Sequence, residues 1–102
     1  MARIIVAVAA RADLRSIIDY LEEHAGQVVA LRYALEFDAA FDRLVDIPAI
    51  GSPRPAYGVG TRIVIIDPYL IFYEHMTEGD IVRVLRILHS HRDITVEMIR
   101  HP

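Results

Sequence analysis

The residues best equipped for chemistry lie in the second half of the chain. Arg62, Tyr73, Glu74, Arg86 and His89 are spread over three short apolar runs. Together they hold the groups that metal-free RNA cleavage requires. Arg62 and Arg86 can grip phosphate as bidentate forks. His89 or Glu74 can move protons, and Tyr73 can donate a hydrogen bond or stack on a base. A small sheet with 11 basic and five tyrosine residues offers such a set readily, so residue type alone does not decide the matter. His89 and His91, with Asp93 two further on, form the one group with metal-like chemistry. No further ligand stands at a matching spacing, and neither a metal nor any other cofactor is expected. The chain has no phosphate-binding glycine loop, no nucleophile elbow and no His-Glu-x-x-His.

Composition narrows the classes. A length of 102 residues and 54% hydrophobic content suit one small domain with a modest core. No apolar run approaches the ~20 residues of a membrane span, and no leader is expected at the amino terminus. With no cysteine there is neither disulfide nor thiolate chemistry, and the cytoplasm is the expected compartment. Every member of the Lys+Arg total is arginine, so no amine is available as acid or base. Net charge is −3, which disfavours direct nucleic-acid binding. The charge is uneven. Residues 1–50 carry five Arg against eight Asp and Glu; residues 51–102 carry six of each and four of the five His.

These residues need a scaffold, and its elements are readable. Thr61–Ile66, Tyr69–Glu74 and Ile81–His89 are β-branched or aromatic runs. Asp67-Pro68 and a polar loop with Gly79-Asp80 separate them. Connections this short force antiparallel neighbours. Arg83 and Arg86, three apart on the last strand, are expected on opposite faces. Upstream, Arg3–Val8 reads as a strand buried on both faces or paired centrally.

Ala10–Ala25 reads as a helix, with Leu14, Ile17, Ile18, Leu21 and Ala25 in one stripe. Gly26 is expected to end it in a left-handed conformation. Gln27–Ile47 reads as a second helix. Ala30, Ala34, Phe37, Phe41 and Leu44 form its hairpin seam. A second stripe of Val28, Leu31 and Leu35 either packs on the sheet or faces a partner. Asp46–Gly60, rich in Pro and Gly, is a long linker. Ile94–Pro102 adds either a helical turn or an edge strand. The order β-α-α-β-β-β implies an α+β fold: a helical hairpin on one face of a small, mostly antiparallel sheet. On this reading the other sheet face and the second helix stripe are left without cover.

Four pieces in this order resemble the ParE/RelE superfamily of toxins from type II toxin–antitoxin systems. They are AARADLRSIIDYLEEHAG (9–26), IPAIGSPRPAYGVGTR (47–62), YLIFYE (69–74) and RVLRILHSHRDI (83–94). The linker and the ending are closer to the ParE branch. The resemblance implies a cytoplasmic toxin that inhibits DNA gyrase by binding it and is neutralised by a cognate antitoxin. It implies Arg62, Arg86, His89 and Arg92 as target-binding residues. Val28, Leu31 and Leu35 are the matching candidates for the antitoxin. The alternative is a ribosome-dependent mRNA endoribonuclease of the RelE kind, for which Arg62, Arg86, His89 and Tyr73 are the catalytic candidates.

Overall fold

The computed structural model describes all 102 residues. Its elements are β1 (Arg3–Val6), α1 (Val8–Ala25), α2 (Gln27–Asp46), β2 (Ser52–Pro53), β3 (Thr61–Ile66), β4 (Tyr69–Met76), β5 (Ile81–His89) and α3 (Val96–Arg100). A single 3₁₀ turn, Pro55–Tyr57, lies between β2 and β3. The sheet order is β1-β5-β4-β3-β2. The pairs β2–β3, β3–β4 and β4–β5 are antiparallel, and β1 joins β5 in parallel. The α+β architecture and the three-strand meander are as the sequence implies.

The α1–α2 hairpin turns on Gly26 alone. That residue has φ 92° and ψ 167°, a positive φ with an extended ψ rather than the left-handed helical cap expected. Only glycine adopts such a backbone freely. The hairpin covers one sheet face. Phe37, Ala40 and Ala10 pack there on Ile66, Tyr69, Ile71, Val84 and Ile87. The seam residues Ala30, Phe37 and Leu44 are buried, as the periodicity predicts.

Three expectations change. First, β1 is an edge strand with Arg3 and Ile5 exposed, not a central one. Four residues meet one neighbour, and apolarity alone did not reveal which side was open. Second, the far sheet face is covered from within the chain. Ile99 of α3, with Met98, Ile94 and Tyr57, packs on Ile63, Phe72, Leu85 and Leu88. Third, Arg83 and Arg86 share a face. Phe72 pairs with Arg86 and Tyr73 with Val84, so Leu85 is an extra residue in a β-bulge. The bulge shifts the alternation by one, and both arginines lie on the α3 side.

A five-residue helix has little stability of its own. Thr95 caps α3 by accepting a 3.3 Å bond from the Met98 amide. Arg100 then ties the helix to the sheet, reaching Glu74 at 2.7 Å, Thr61 Oγ1 and the Tyr57 carbonyl at 3.1 Å. Thr95→Ala is expected to cost about 1 kcal/mol. That corresponds to a fall of about 4–8 °C in the thermal unfolding midpoint, and an unchanged midpoint would count against this cap.

Candidate functional site

Arg62 and Tyr73 are register partners on β3 and β4, and both are occupied with the linker. The Tyr73 hydroxyl accepts from the Gly51 amide at 2.8 Å and donates to the Pro48 carbonyl at 2.8 Å. Its ring is fully buried. Burial pushes the phenol pKa up, against smaller downward effects of the Gly51 amide and the Arg62 charge. Arg62 Nη1 donates to the carbonyls of Gly51 at 2.7 Å and Ala49 at 3.2 Å. The pair therefore fastens residues 48–51 to the sheet.

Arg86 is also engaged. Its Nε and Nη2 grip Asp13 at 2.7 and 2.8 Å, and Nη1 donates to the Met98 carbonyl at 2.8 Å. Asp13 additionally accepts from the Ile87 amide at 3.0 Å. Strand β1 pairs with β5 only as far as Val84. Beyond it the β5 edge is open, and the Asp13 carboxylate supplies the acceptor that a longer β1 would have given. The Asp13 hydrogen bond raises the Arg86 pKa, outweighing burial, so this guanidinium is permanently charged.

His89 stands elsewhere. It pairs with Tyr69 at the start of β4, whereas Tyr73 lies in the middle of that strand. Four residues of strand separate those tyrosines, roughly 13 Å. The His89 ring meets Tyr69 edge-on at 5.6 Å and His91 at 4.9 Å. Its Nδ1 accepts from the His91 amide at 3.0 Å, leaving Nε2 to carry the proton when the ring is neutral. The four nuclease candidates thus do not converge. Arg62 and Tyr73 are cross-strand partners on the hairpin face, His89 lies further along that face beside Tyr69, and Arg86 is on the far face. His89 and His91 are adjacent, but no three His, Asp or Glu side chains come together as metal ligands.

Two surfaces remain free. On α2, Val28, Leu31 and Leu35 are 81%, 60% and 60% exposed, so this stripe does not pack on the sheet. It lies beyond the hairpin seam, where the sheet cannot reach it. Beside it runs a cleft of about 580 Å³ lined by Arg32, Tyr33, Glu36 and Arg43 of α2 and by Ile65 and Asp67. A further 220 Å³ cleft at Arg43, Ile50 and Ile65 continues it. β2 pairs only with Arg62 and Ile63, so the outer backbone edge of Val64–Ile66 has no strand partner. The second surface is at the His89 end, where Arg92 is exposed and Tyr20, Tyr69 and His89 line a hollow. Sequence reasoning missed Asp13, Tyr20 and the cleft arginines. Asp13 and Arg86 are 73 residues apart, and no local pattern announces their pairing.

With this geometry in view, the comparisons with known proteins decide the family. The family model described as "ParE toxin of type II toxin-antitoxin system, parDE" matches residues 4–94. The chain belongs to the ParE toxin family. It is 32% identical over 76 residues to Toxin ParE1 of Caulobacter vibrioides, spanning 74% of this chain and 79% of that one. Its fold matches a chain of the chromosomal ParDE toxin–antitoxin system of P. aeruginosa with a TM-score of 0.73. There the identity is 23%, with 87% of this chain and 96% of that chain covered. A chain of the RelBE2 toxin–antitoxin complex of Mycobacterium tuberculosis matches with a TM-score of 0.63. Identity is 25%, and coverage is 86% and 96%. This ParE-family chain is thus the toxin of a type II toxin–antitoxin pair, and a cognate antitoxin is its partner. None of its helices is long and apolar enough to cross a membrane.

Proposed function

We propose that this toxin acts in the cytoplasm by binding DNA gyrase and that its antitoxin neutralises it by folding onto α2 and the open edge of β3. The family match over residues 4–94 carries the reading, since it selects the ParE branch. The scattered placement of Arg62, Tyr73, Arg86 and His89 supports a binding toxin over a ribosome-dependent nuclease. General acid–base cleavage needs its groups around one phosphate.

For the antitoxin, an amphipathic helix would cover Val28, Leu31 and Leu35. An extended segment would add to Val64–Ile66 by main-chain hydrogen bonds. Acidic side chains in that segment would meet Arg32 and Arg43 in the cleft. Such a segment, disordered alone, orders as it buries these surfaces.

Purified toxin is expected to inhibit gyrase supercoiling of plasmid DNA. If supercoiling proceeds unaffected while new mRNA 5′ ends appear within translated codons, the nuclease alternative replaces this reading. The double variant Leu31→Asp/Leu35→Asp should fold normally, because both side chains already face solvent. Its affinity for the antitoxin is expected to fall about 100-fold or more, as for two lost interface anchors. Titration calorimetry checks this, and undiminished affinity would move the antitoxin site off α2.

A further inference from the structure

The hollow at the His89 end is floored by Tyr69 of the core and opens to solvent beside Tyr20. It measures about 320 Å³ and is lined by Ser16, Ile17 and Tyr20 of α1, Tyr69 of β4 and His89 of β5. Three rings from three elements meet there. Tyr20 is 58% exposed, and one of its faces is stacked on His24 at 4.2 Å. Tyr69 and His89 are set edge to face, and Tyr33 meets Tyr69 edge-on at 5.7 Å. Neighbouring rings thus brace Tyr20, Tyr69 and His89 before anything binds, and the hollow opens outward.

Positive charge lies beside it. Ser16 also lines an adjoining surface depression of about 350 Å³ with Arg15, the residue before it, and Arg11, about 1.4 turns earlier on α1. Arg92 follows His89 on the same turn, its amide bonded to the His89 carbonyl at 3.0 Å. The ion pairs of the molecule are Asp13–Arg86, Glu74–Arg100 and His75–Asp80, so Arg11, Arg15 and Arg92 have no carboxylate partner. An aromatic hollow with unpaired arginines beside it, Arg92 on the His89 turn and Arg11 and Arg15 across Ser16, has the composition of an interface hot spot, in which Tyr and Arg predominate.

We propose that this corner is the target-binding anchor of the toxin. The Tyr20–Tyr69–His89 hollow takes one aromatic side chain of the target protein, and Arg11, Arg15 and Arg92 receive acidic residues flanking it. The assignment rests on the reading of the chain as a binding toxin, and it relocates the target surface. Of the target-binding candidates from sequence, Arg62 and Arg86 are spent on internal hydrogen bonds, while His89 lines the hollow and Arg92 follows on the same turn. Charge complementarity favours a protein segment over a nucleic-acid strand. A polyanion feels the whole field of a chain with net charge −3, and α1 also carries exposed Asp19, Glu22 and Glu23. A short segment can place its acidic residues on Arg11, Arg15 and Arg92 and uncharged ones beside Asp19 and Glu23, a choice that a uniform phosphate backbone does not have.

The test uses Tyr20→Ala and Arg11→Glu/Arg15→Glu in the full chain, each on an exposed helix face. Three readouts apply: growth arrest on expression without antitoxin, inhibition of gyrase supercoiling, and antitoxin affinity. The expected result is a loss of about 30-fold in inhibitory potency for Tyr20→Ala, the scale of a hot-spot residue. The charge reversals should lose at least about tenfold. Antitoxin affinity and thermal midpoint should remain at wild-type values. Variants that arrest growth as well as wild type overturn the proposal. So does binding of a labelled single-stranded oligothymidylate or oligouridylate that Arg11→Glu/Arg15→Glu abolishes, since it would make the occupant a nucleic acid. If wild-type toxin arrests growth without affecting gyrase, the gyrase reading fails; the anchor then stands if both variants relieve the arrest. A wild-type chain that arrests nothing overturns both.

Discussion

Asp13→Ala is expected to lower the unfolding midpoint of this toxin by about 15–20 °C. One carboxylate accepts three hydrogen bonds, two from Arg86 and one from the Ile87 amide. The side chains of Asp13 and Arg86 are only 12% and 14% exposed. Removing the carboxylate leaves a partly buried guanidinium without its counter-charge and a strand amide without an acceptor. Breaking such a pair from one side costs about 3 kcal/mol or more. Asp13→Asn should fall between, because an amide oxygen can still accept from Ile87 but cannot pair with the fork.

Arg86→Ala should destabilise comparably, since it also releases the Met98 carbonyl of α3. Urea or thermal unfolding of the free toxin measures both. If Arg86→Ala abolishes toxicity while the midpoint holds within a few degrees, Arg86 contacts the target directly and does not hold α1 and α3 to the sheet.

Tyr73→Phe is expected to cost about 2–3 kcal/mol, although it removes a single oxygen. The hydroxyl is the acceptor for the buried Gly51 amide and the donor to Pro48. Leaving a buried group unpaired costs about 1–3 kcal/mol. The loss should be local. Hydrogen exchange is expected to accelerate across residues 48–53, where β2 and the linker lie against β3, before the core opens.

Gly51→Ala should reproduce this loosening by another route. A Cβ there would stand 2.6 Å from the Tyr73 hydroxyl and 2.7 Å from the Ile63 carbonyl. The carbonyl belongs to a central-facing strand and cannot give way, so the linker must move. Unchanged exchange rates in both variants would show that the linker is held by something other than this oxygen.

Much of this toxin was legible before any coordinates. The 3.6-residue period placed both helices, and their bounds differ from expectation by a residue or two. Short connections forced the antiparallel meander. Those signals are local: they depend on residues within one turn or one hairpin of each other. Four such pieces in order also sufficed for the family.

What the sequence could not determine was the use of each polar side chain. Arg62, Tyr73 and Arg86 have the right chemistry for a site, yet their partners lie 11 to 73 positions away. A bulge at Leu85 reversed the face of Arg86, and nothing in an alternating apolar run marks where an extra residue is inserted. Ile99 decided that the far face is covered, although its segment is too short and mixed to announce a helix. The same distance effect hid the aromatic corner, because Tyr20, Tyr69 and His89 become neighbours only when α1 lies across the end of β4 and β5. Periodicity and turn chemistry act along the chain, so one dimension records them. Hydrogen-bond partners and shared hollows are made between elements, and only the packed molecule selects them.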